Sequence, residues 1–254
     1  MGTERLIVGI RQADGAVLGS PEEIVDLEVQ PADDPSAQPQ RAQATFTWIV
    51  PDVVGLYRAV FMFDRPGVWQ ATVIPQAGPP LEPALFSVLD PACRQADRAD
   101  PGVPGCAVQV GEPAPTVATY TTADRPLEEI TTDPSPDPRL YEHSLDTLVA
   151  NGRPTVIIFA TPAFCTSAAC GPLLDEVKAV VDDYSSVDFI HVEVYERFRD
   201  DGFDPANPEY TVDAIFAYRL PSEPWVYVVD GDGIVTARFE GVMDAEELVA
   251  ALET

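Results

Sequence analysis

Phe159-Ala160-Thr161-Pro162-Ala163-Phe164-Cys165-Thr166-Ser167-Ala168-Ala169-Cys170-Gly171-Pro172 is the stretch on which the fold turns. Ahead of it, Pro154–Ala160 is an unbroken apolar run of the kind that forms a buried strand. Behind it, Leu173, Leu174, Val177, Val180 and Val181 recur at helical spacing, so a helix is expected over Pro172–Tyr184. A strand therefore delivers two cysteines to the start of a helix. Residues five apart on a regular helix rise about 7.5 Å along its axis, whereas a disulfide wants Cα atoms within about 7 Å. Cys165 and Cys170 can bridge if Cys165 lies in the loop ahead of the helix, or if the first turn unwinds. Pro172 favours the loop arrangement, because proline is comfortable in a first turn and costly further inside. Both sulfurs then lie where unpaired N–H groups and the helix dipole favour a thiolate. No lysine, arginine or histidine is near in sequence to assist, and the acidic surroundings oppose it.

Working outward, Leu145–Asn151 reads as a helix stopped by Gly152, and Val187–Val194 as a second buried strand. Val212–Tyr218 reads as a helix. Trp225–Val229 and Ile234–Phe239 read as strands joined at Asp230-Gly231-Asp232-Gly233. A last helix starts at Asp244, whose side chain can cap it while Glu247 reciprocates. The order βαβαββα calls for an α/β sheet with an antiparallel final hairpin.

Residues 1–90 have a different texture. Apolar or β-branched runs at Leu6–Ile10, Ile24–Val29, Ala44–Val50, Leu56–Phe63, Val68–Ile74 and Leu85–Leu89 are separated by turn residues, which fits a small all-β sandwich. Gly55–Phe61 alternates, turns at Pro66-Gly67 and continues as Val68–Val73, so a hairpin with one buried face is expected there. It resembles the G-x-Y … P-G-x-W hairpin of immunoglobulin-like accessory domains in exported proteins, a likeness of fold that carries no chemistry. Residues 91–110 form a Pro-rich linker holding Cys93 and Cys106. Its Pro-Asp-Ser character persists to about residue 140, so that stretch is expected to be largely extended.

The 254 residues carry a net charge of −27. Residues 1–91 hold 12 acidic and 5 basic side chains (net −7), and residues 92–254 hold 30 and 10 (net −20). Such a surface repels phosphate backbones, which excludes a nucleic-acid partner. No apolar run approaches the ~18 residues of a membrane span. Four cysteines in two local pairs suggest two bridges, although three connectivities are open. Structural bridges imply an oxidising compartment. Met1-Gly2-Thr3-Glu4 has neither a basic nor an apolar segment of a leader, so the expectation is a secreted or cell-envelope protein whose export signal has been removed. A Cys93–Cys106 structural disulfide would staple a coreless segment by about 3 kcal/mol; a second redox pair is the alternative.

From residue 108 onward the chain resembles the thioredoxin-like superfamily. Four features carry the resemblance: Gly111-Glu112-Pro113-Ala114-Pro115, like the G-x-x-A-P opening of redoxin and peroxiredoxin branches; the strand end and loop Phe159–Cys165; Ser222-Glu223-Pro224-Trp225 ahead of a strand; and Asp232-Gly233-Ile234-Val235 with Gly241 beyond. Phe164 to Pro172 is also similar to thioredoxin-domain proteins exported by bacteria. The domain implied is 111–254. The resemblance implies a thiol–disulfide oxidoreductase in which Cys165, six residues past Phe159, attacks and Cys170 resolves. It further implies a cis bond before Pro224, with Glu223, Pro224 and Trp225 forming the substrate-binding edge. Its partners would be a disulfide-containing protein or a small thiol or disulfide, with no cofactor and no metal. Cys170-Gly171-Pro172 imitates the C-G-P of thioredoxins but is followed by Leu173 where a resolving cysteine would stand. The C-x4-C spacing is also used by one peroxiredoxin branch. Here Thr161 is one residue too far from Cys165, Ile158 replaces an expected proline, and Arg219 is the arginine available to a peroxide.

Glu223 and Glu193 are candidate carboxylates able to raise a thiol pKa or act as acid and base. His143 reads as a surface residue, and His191 as a satisfied interior histidine rather than a metal ligand. A copper carrier would want a histidine in residues 200–222, which hold none. Two other functions remain open: a binding module that keeps Cys165–Cys170 as a structural bridge, and a thiol peroxidase using the same pair.

Overall fold

A computed structural model describes residues 2–11, 17–50, 54–90, 107–149 and 151–254. The chain divides into two compact units, Met1–Arg94 and Gln95–Thr254. Cys93 and Cys106, and with them their expected bridge, lie outside the described residues.

The first unit is built from β1 (Gly2–Val8), β2 (Ile10–Arg11), β3 (Val17–Leu18), β4 (Val25–Pro31), β5 (Gln40–Gln43), β6 (Thr45–Val50), β7 (Val54–Phe63), β8 (Gly67–Pro75) and β9 (Ala84–Val88). Two sheets, ordered β1-β7-β6 and β5-β4-β8-β9, pack as a β-sandwich, and β2 and β3 pair separately. The expected hairpin between Gly55–Phe61 and Val68–Val73 is not formed. β7 pairs with β1 and β6, while β8 pairs with β4 and β9, so the chain crosses between sheets at Pro66-Gly67. The reason lies in their alternation: Tyr57, Ala59, Phe61 and Phe63 on one strand and Trp69, Ala71 and Val73 on the other all point into one core. Two strands that each bury one face are better satisfied face to face than edge to edge. Phe63 meets Trp69 edge-on at 5.0 Å, and the Trp69 ring N–H donates to the Arg65 carbonyl across the connection.

The second unit opens with a segment that the sequence suggests is extended. It is largely so, but it is not free: Ala107, Val108, Ala114, Leu140 and Tyr141 are buried. Gly111 and Ala114 donate to Val235 and Gly233, which fastens the Gly111–Pro115 motif to the final hairpin. Short turns α1 (Leu127–Ile130), a 3-10 turn at Pro138–Tyr141 and α2 (Leu145–Leu148) follow. Then come β10 (Thr155–Ala160), α3 (Cys170–Val180), β11 (Asp188–Glu193), α4 (Asp213–Tyr218), β12 (Trp225–Val229), β13 (Val235–Glu240) and α5 (Ala245–Leu252). The sheet order is β11-β10-β12-β13, with β10 and β11 parallel and the other pairings antiparallel. β10 is buried along its whole length, as a central strand covered on both faces must be. One face packs Ile157 and Phe159 against α2 and α4, and the other packs Val156, Ile158 and Ala160 against α3 and α5. Asp244 caps α5 by accepting from Glu247 N at 2.9 Å.

Candidate redox site

β10 ends at Ala160, and the chain leaves the sheet through a tight turn in which Phe164 N donates to Thr161 O. A second turn, Ala168 N to Cys165 O, follows, with Ala168 in the left-handed region at φ 57°. The chain is thereby folded back before α3 begins at Cys170. The Cα atoms of Cys165 and Cys170 stand 6.0 Å apart and the two sulfurs are bonded. Cys165 thus lies in the loop ahead of the helix, the arrangement that Pro172 favours. Cys165 is half-buried, whereas Cys170 is 0% exposed. The Ser167 hydroxyl lies 3.2 Å from Cys165 Sγ and, since a disulfide sulfur carries no proton, it is the donor.

The loop is held from behind by β11. His191 Nε2 lies 3.1 Å from Ala160 O, which can only accept, so Nε2 carries the proton. Nδ1 must then accept, and it does so from the Tyr141 hydroxyl at 2.7 Å. Burial pulls the His191 pKa down to about 4, against smaller opposing effects of the Ala160 carbonyl and Asp133. Two residues on, the Glu193 carboxylate accepts from Thr132 N at 2.8 Å, from Thr132 Oγ1 at 2.6 Å and, through Oε1, from Val194 N at 3.1 Å. Burial raises its pKa, and these donors pull the other way. Thr161 Oγ1 is buried without a well-formed hydrogen bond, yet near enough to Glu193 to favour its charged form.

In front, Phe164 belongs to an aromatic wall that sequence reasoning missed. Its ring lies 4.8 Å from Phe203 and 5.8 Å from Tyr195, and Phe203 lies 5.1 Å from Tyr210. The signal is present in the sequence as Tyr195, Phe198, Phe203 and Tyr210 recurring through an otherwise polar stretch. A cavity of about 530 Å³ beside Ala163 and Phe164 is lined by Leu127, Pro134, Pro136 and Phe198 among others. A second, of about 540 Å³, lies against His191, Glu193 and Tyr195 and is rimmed by further carboxylates.

The Glu223–Pro224 bond is cis. Pro224 is buried and its carbonyl accepts from Gly241 N. Trp225 is 3% exposed, stacked on Tyr227 inside the core, so its place is in packing rather than on a substrate edge. Of the three residues expected on that edge, Glu223 alone keeps solvent access, and partial burial raises its pKa. The Tyr195 ring packs on Phe164, and burial raises its pKa, with the Glu223 charge adding to the effect. Arg219 forms a 2.7 Å ion pair with Glu112. His143 is exposed. Among the described residues no group of three His, Cys, Asp or Glu side chains is arranged to hold a metal.

A family model described as a thioredoxin-like domain matches residues 141–254. Residues 141–254, within the second unit, are a thioredoxin-like domain. No curated protein matches the chain. The matched span begins at Tyr141, so the all-β unit lies ahead of it. A thioredoxin-like domain with a Cys165–Cys170 disulfide at a helix N-terminus fits redox chemistry of the thiol–disulfide type.

Proposed function

We propose that this thioredoxin-like domain is a thiol–disulfide oxidoreductase in which Cys165 attacks and Cys170 resolves. The observation that carries the reading is the asymmetry of the pair: Cys165 has solvent access and Cys170 has none. In the reduced protein the Cys165 thiolate attacks a partner disulfide and displaces one partner thiolate, which takes up a proton. Cys170, deprotonated, then attacks Cys165 Sγ in the mixed disulfide and releases the second partner thiol. The partner gains two electrons and two protons, and the Cys165–Cys170 bond is restored. Run backwards, the same steps oxidise a dithiol partner.

The partner class is a disulfide-bearing protein or small disulfide that reaches the Glu223 edge and the Phe164 wall. A disulfide in the site is in keeping with an oxidising, extracytoplasmic compartment. Residues 1–90 are read as an immunoglobulin-like accessory domain and 91–110 as its linker, whose last residues, from Ala107, pack into the second unit. The peroxidase alternative loses ground because the Arg219 guanidinium is already paired with Glu112.

The test is trapping. Cys170→Ser should accumulate a mixed disulfide with a model disulfide, and Cys165→Ser should not. The reverse pattern would move the attack to Cys170. No exchange by the unaltered protein, with a potential below about −300 mV, would make the bridge structural.

A further inference from the structure

The run-up to Cys165 is clamped at two points, directly by β11 through His191 and indirectly through Thr132, a loop residue that Glu193 of β11 holds. His191 holds the carbonyl of Ala160, and Thr132 Oγ1 accepts the backbone N–H of Ala163 at 3.1 Å. That same Thr132 hydroxyl gives its one proton to Glu193 Oε2. A continuous chain of hydrogen bonds therefore runs from a buried carboxylate, through one hydroxyl, to a backbone group two residues before the half-buried sulfur. We infer that Glu193 is a positioning residue for the Cys165 loop, acting through Thr132, and that its charge state sets how firmly the loop is held. This rests on the reading of Cys165 as the attacking thiol.

The physical reason is the direction of the chain. With Glu193 ionised, the Thr132 hydroxyl is fixed as a donor to the carboxylate, and its oxygen is polarised toward the Ala163 N–H. With Glu193 protonated, one carboxyl oxygen must itself donate. Thr161 Oγ1, buried without a well-formed bond and close to the Glu193 carboxyl, is the acceptor at hand. The charge that polarised Thr132 is then gone and the loop is held less firmly.

The titratable groups facing Glu193 are His191 on its own strand, Tyr141 from the 3-10 turn, and Tyr195 just past the strand end. Asp133, beside Thr132, is paired with Lys178 of α3 at 3.0 Å. The cavity beyond adds the carboxylates of Asp124, Glu129, Glu196, Glu209 and Asp213. Negative charge thus surrounds Glu193 on the cavity side, and the groups that hold its ionised form are the Thr132 and Val194 donors.

The experiment uses the full chain with Cys170→Ser, so that Cys165 is a lone thiol in the site. Its alkylation by iodoacetamide is followed at the Cys165 peptide by mass spectrometry from pH 4.5 to 9. In this parent the rate, corrected for thiolate fraction, should step by about threefold as Glu193 titrates, faster on the protonated side, in proportion to one weakened hydrogen bond. Glu193→Gln should remove the step and leave the corrected rate level with pH. Thr132→Val should remove it too, whereas Thr132→Ser, which keeps the hydroxyl, should retain it. Should Glu193→Gln fail to fold, the two Thr132 variants decide, because that side chain is only half-buried. A step that survives Thr132→Val, or a parent with no step, overturns the inference. Absence of disulfide exchange in the unaltered protein would instead defeat the oxidoreductase reading and leave this measurement intact.

Discussion

Tyr141 and His191 share a 2.7 Å hydrogen bond inside the core, and its direction is fixed from the far side of the imidazole. Because Nε2 must donate to Ala160 O, Nδ1 accepts from the tyrosine, and the ring is neutral. The Thr131 hydroxyl, 3.1 Å from Tyr141 Oη, has to be the donor there, since the tyrosine proton is committed to His191. Protonating His191 would set two donors against each other.

That conflict has a pH signature. Unfolded histidine titrates near 6.5, and burial takes His191 to about 4. Between these values the unfolded chain binds the extra proton, so stability rises with pH through the window. The contribution is fully present above pH 6.5 and is lost as pH falls toward 4, up to about 3 kcal/mol. Glu193, whose pKa is raised, slopes the other way above 4.5. The measurement is therefore a difference: urea unfolding from pH 4 to 7 should be flatter on the acid side in His191→Gln than in the unaltered protein. Parallel curves would contradict the buried, neutral assignment.

Two glycines should respond oppositely to alanine. A Cβ at Gly231 would stand 2.7 Å from the Gly152 carbonyl oxygen, a backbone atom that cannot yield alone. Gly231→Ala should cost about 1–3 kcal/mol by overpacking. Gly171, the second residue of α3, has open space around its Cβ direction, and Gly171→Ala should stabilise by about 0.5 kcal/mol. Thermal unfolding of both variants tests the pair.

The α/β half was legible because its central strands are short apolar runs, α3 carries apolar residues at helical spacing and α5 has a side-chain cap at Asp244; Trp225–Val229 was read to the residue. The Cys165–Cys170 geometry was legible because five-residue spacing and Pro172 leave few ways to close the bridge. The β7–β8 connection was misread because alternation reveals which face of a strand is buried, not which sheet the strand joins. β5 was missed for a related reason: Gln40-Arg41-Ala42-Gln43 is an edge strand, held by backbone pairing to β4 and nearly without apolar signal. The Glu193–Thr132–Ala163 chain joins residues 31 and 61 positions apart, which no local pattern can report.

The sandwich core offers a separate check. Leu27 is wholly buried on the inner face of β4, beside Val73 of β8 and Ala42 of β5. Leu27→Ala should destabilise the first unit by about 3 kcal/mol through lost transfer energy and a residual cavity. Since each unit has a core of its own, hydrogen exchange should accelerate in β4, β7 and β8 and stay unchanged in β10 and β12. Equal acceleration in β10 would show that the two units unfold as one.

Phe203 is the ring on which the wall in front of Cys165 depends. It touches Phe164 at 4.8 Å, Tyr195 at 5.7 Å and Tyr210 at 5.1 Å, so one truncation removes three ring contacts at once. Each is worth roughly 0.5–1.5 kcal/mol beyond area burial. The rest of the stretch between β11 and α4 is held mainly by backbone hydrogen bonds such as Glu196 N to Tyr210 O and Val212 N to Val194 O, and Arg197 sits at φ 53° with its guanidinium over Tyr210. Phe203→Ala should therefore loosen residues 195–210 locally while β10 and β11 keep their protection in hydrogen exchange. If the wall seats the partner, disulfide exchange at low partner concentration should slow by about tenfold, with a smaller change at saturation. Slowing of the same size at saturation would mean that Phe203 acts on the cysteine loop itself, through Phe164, and not on partner binding.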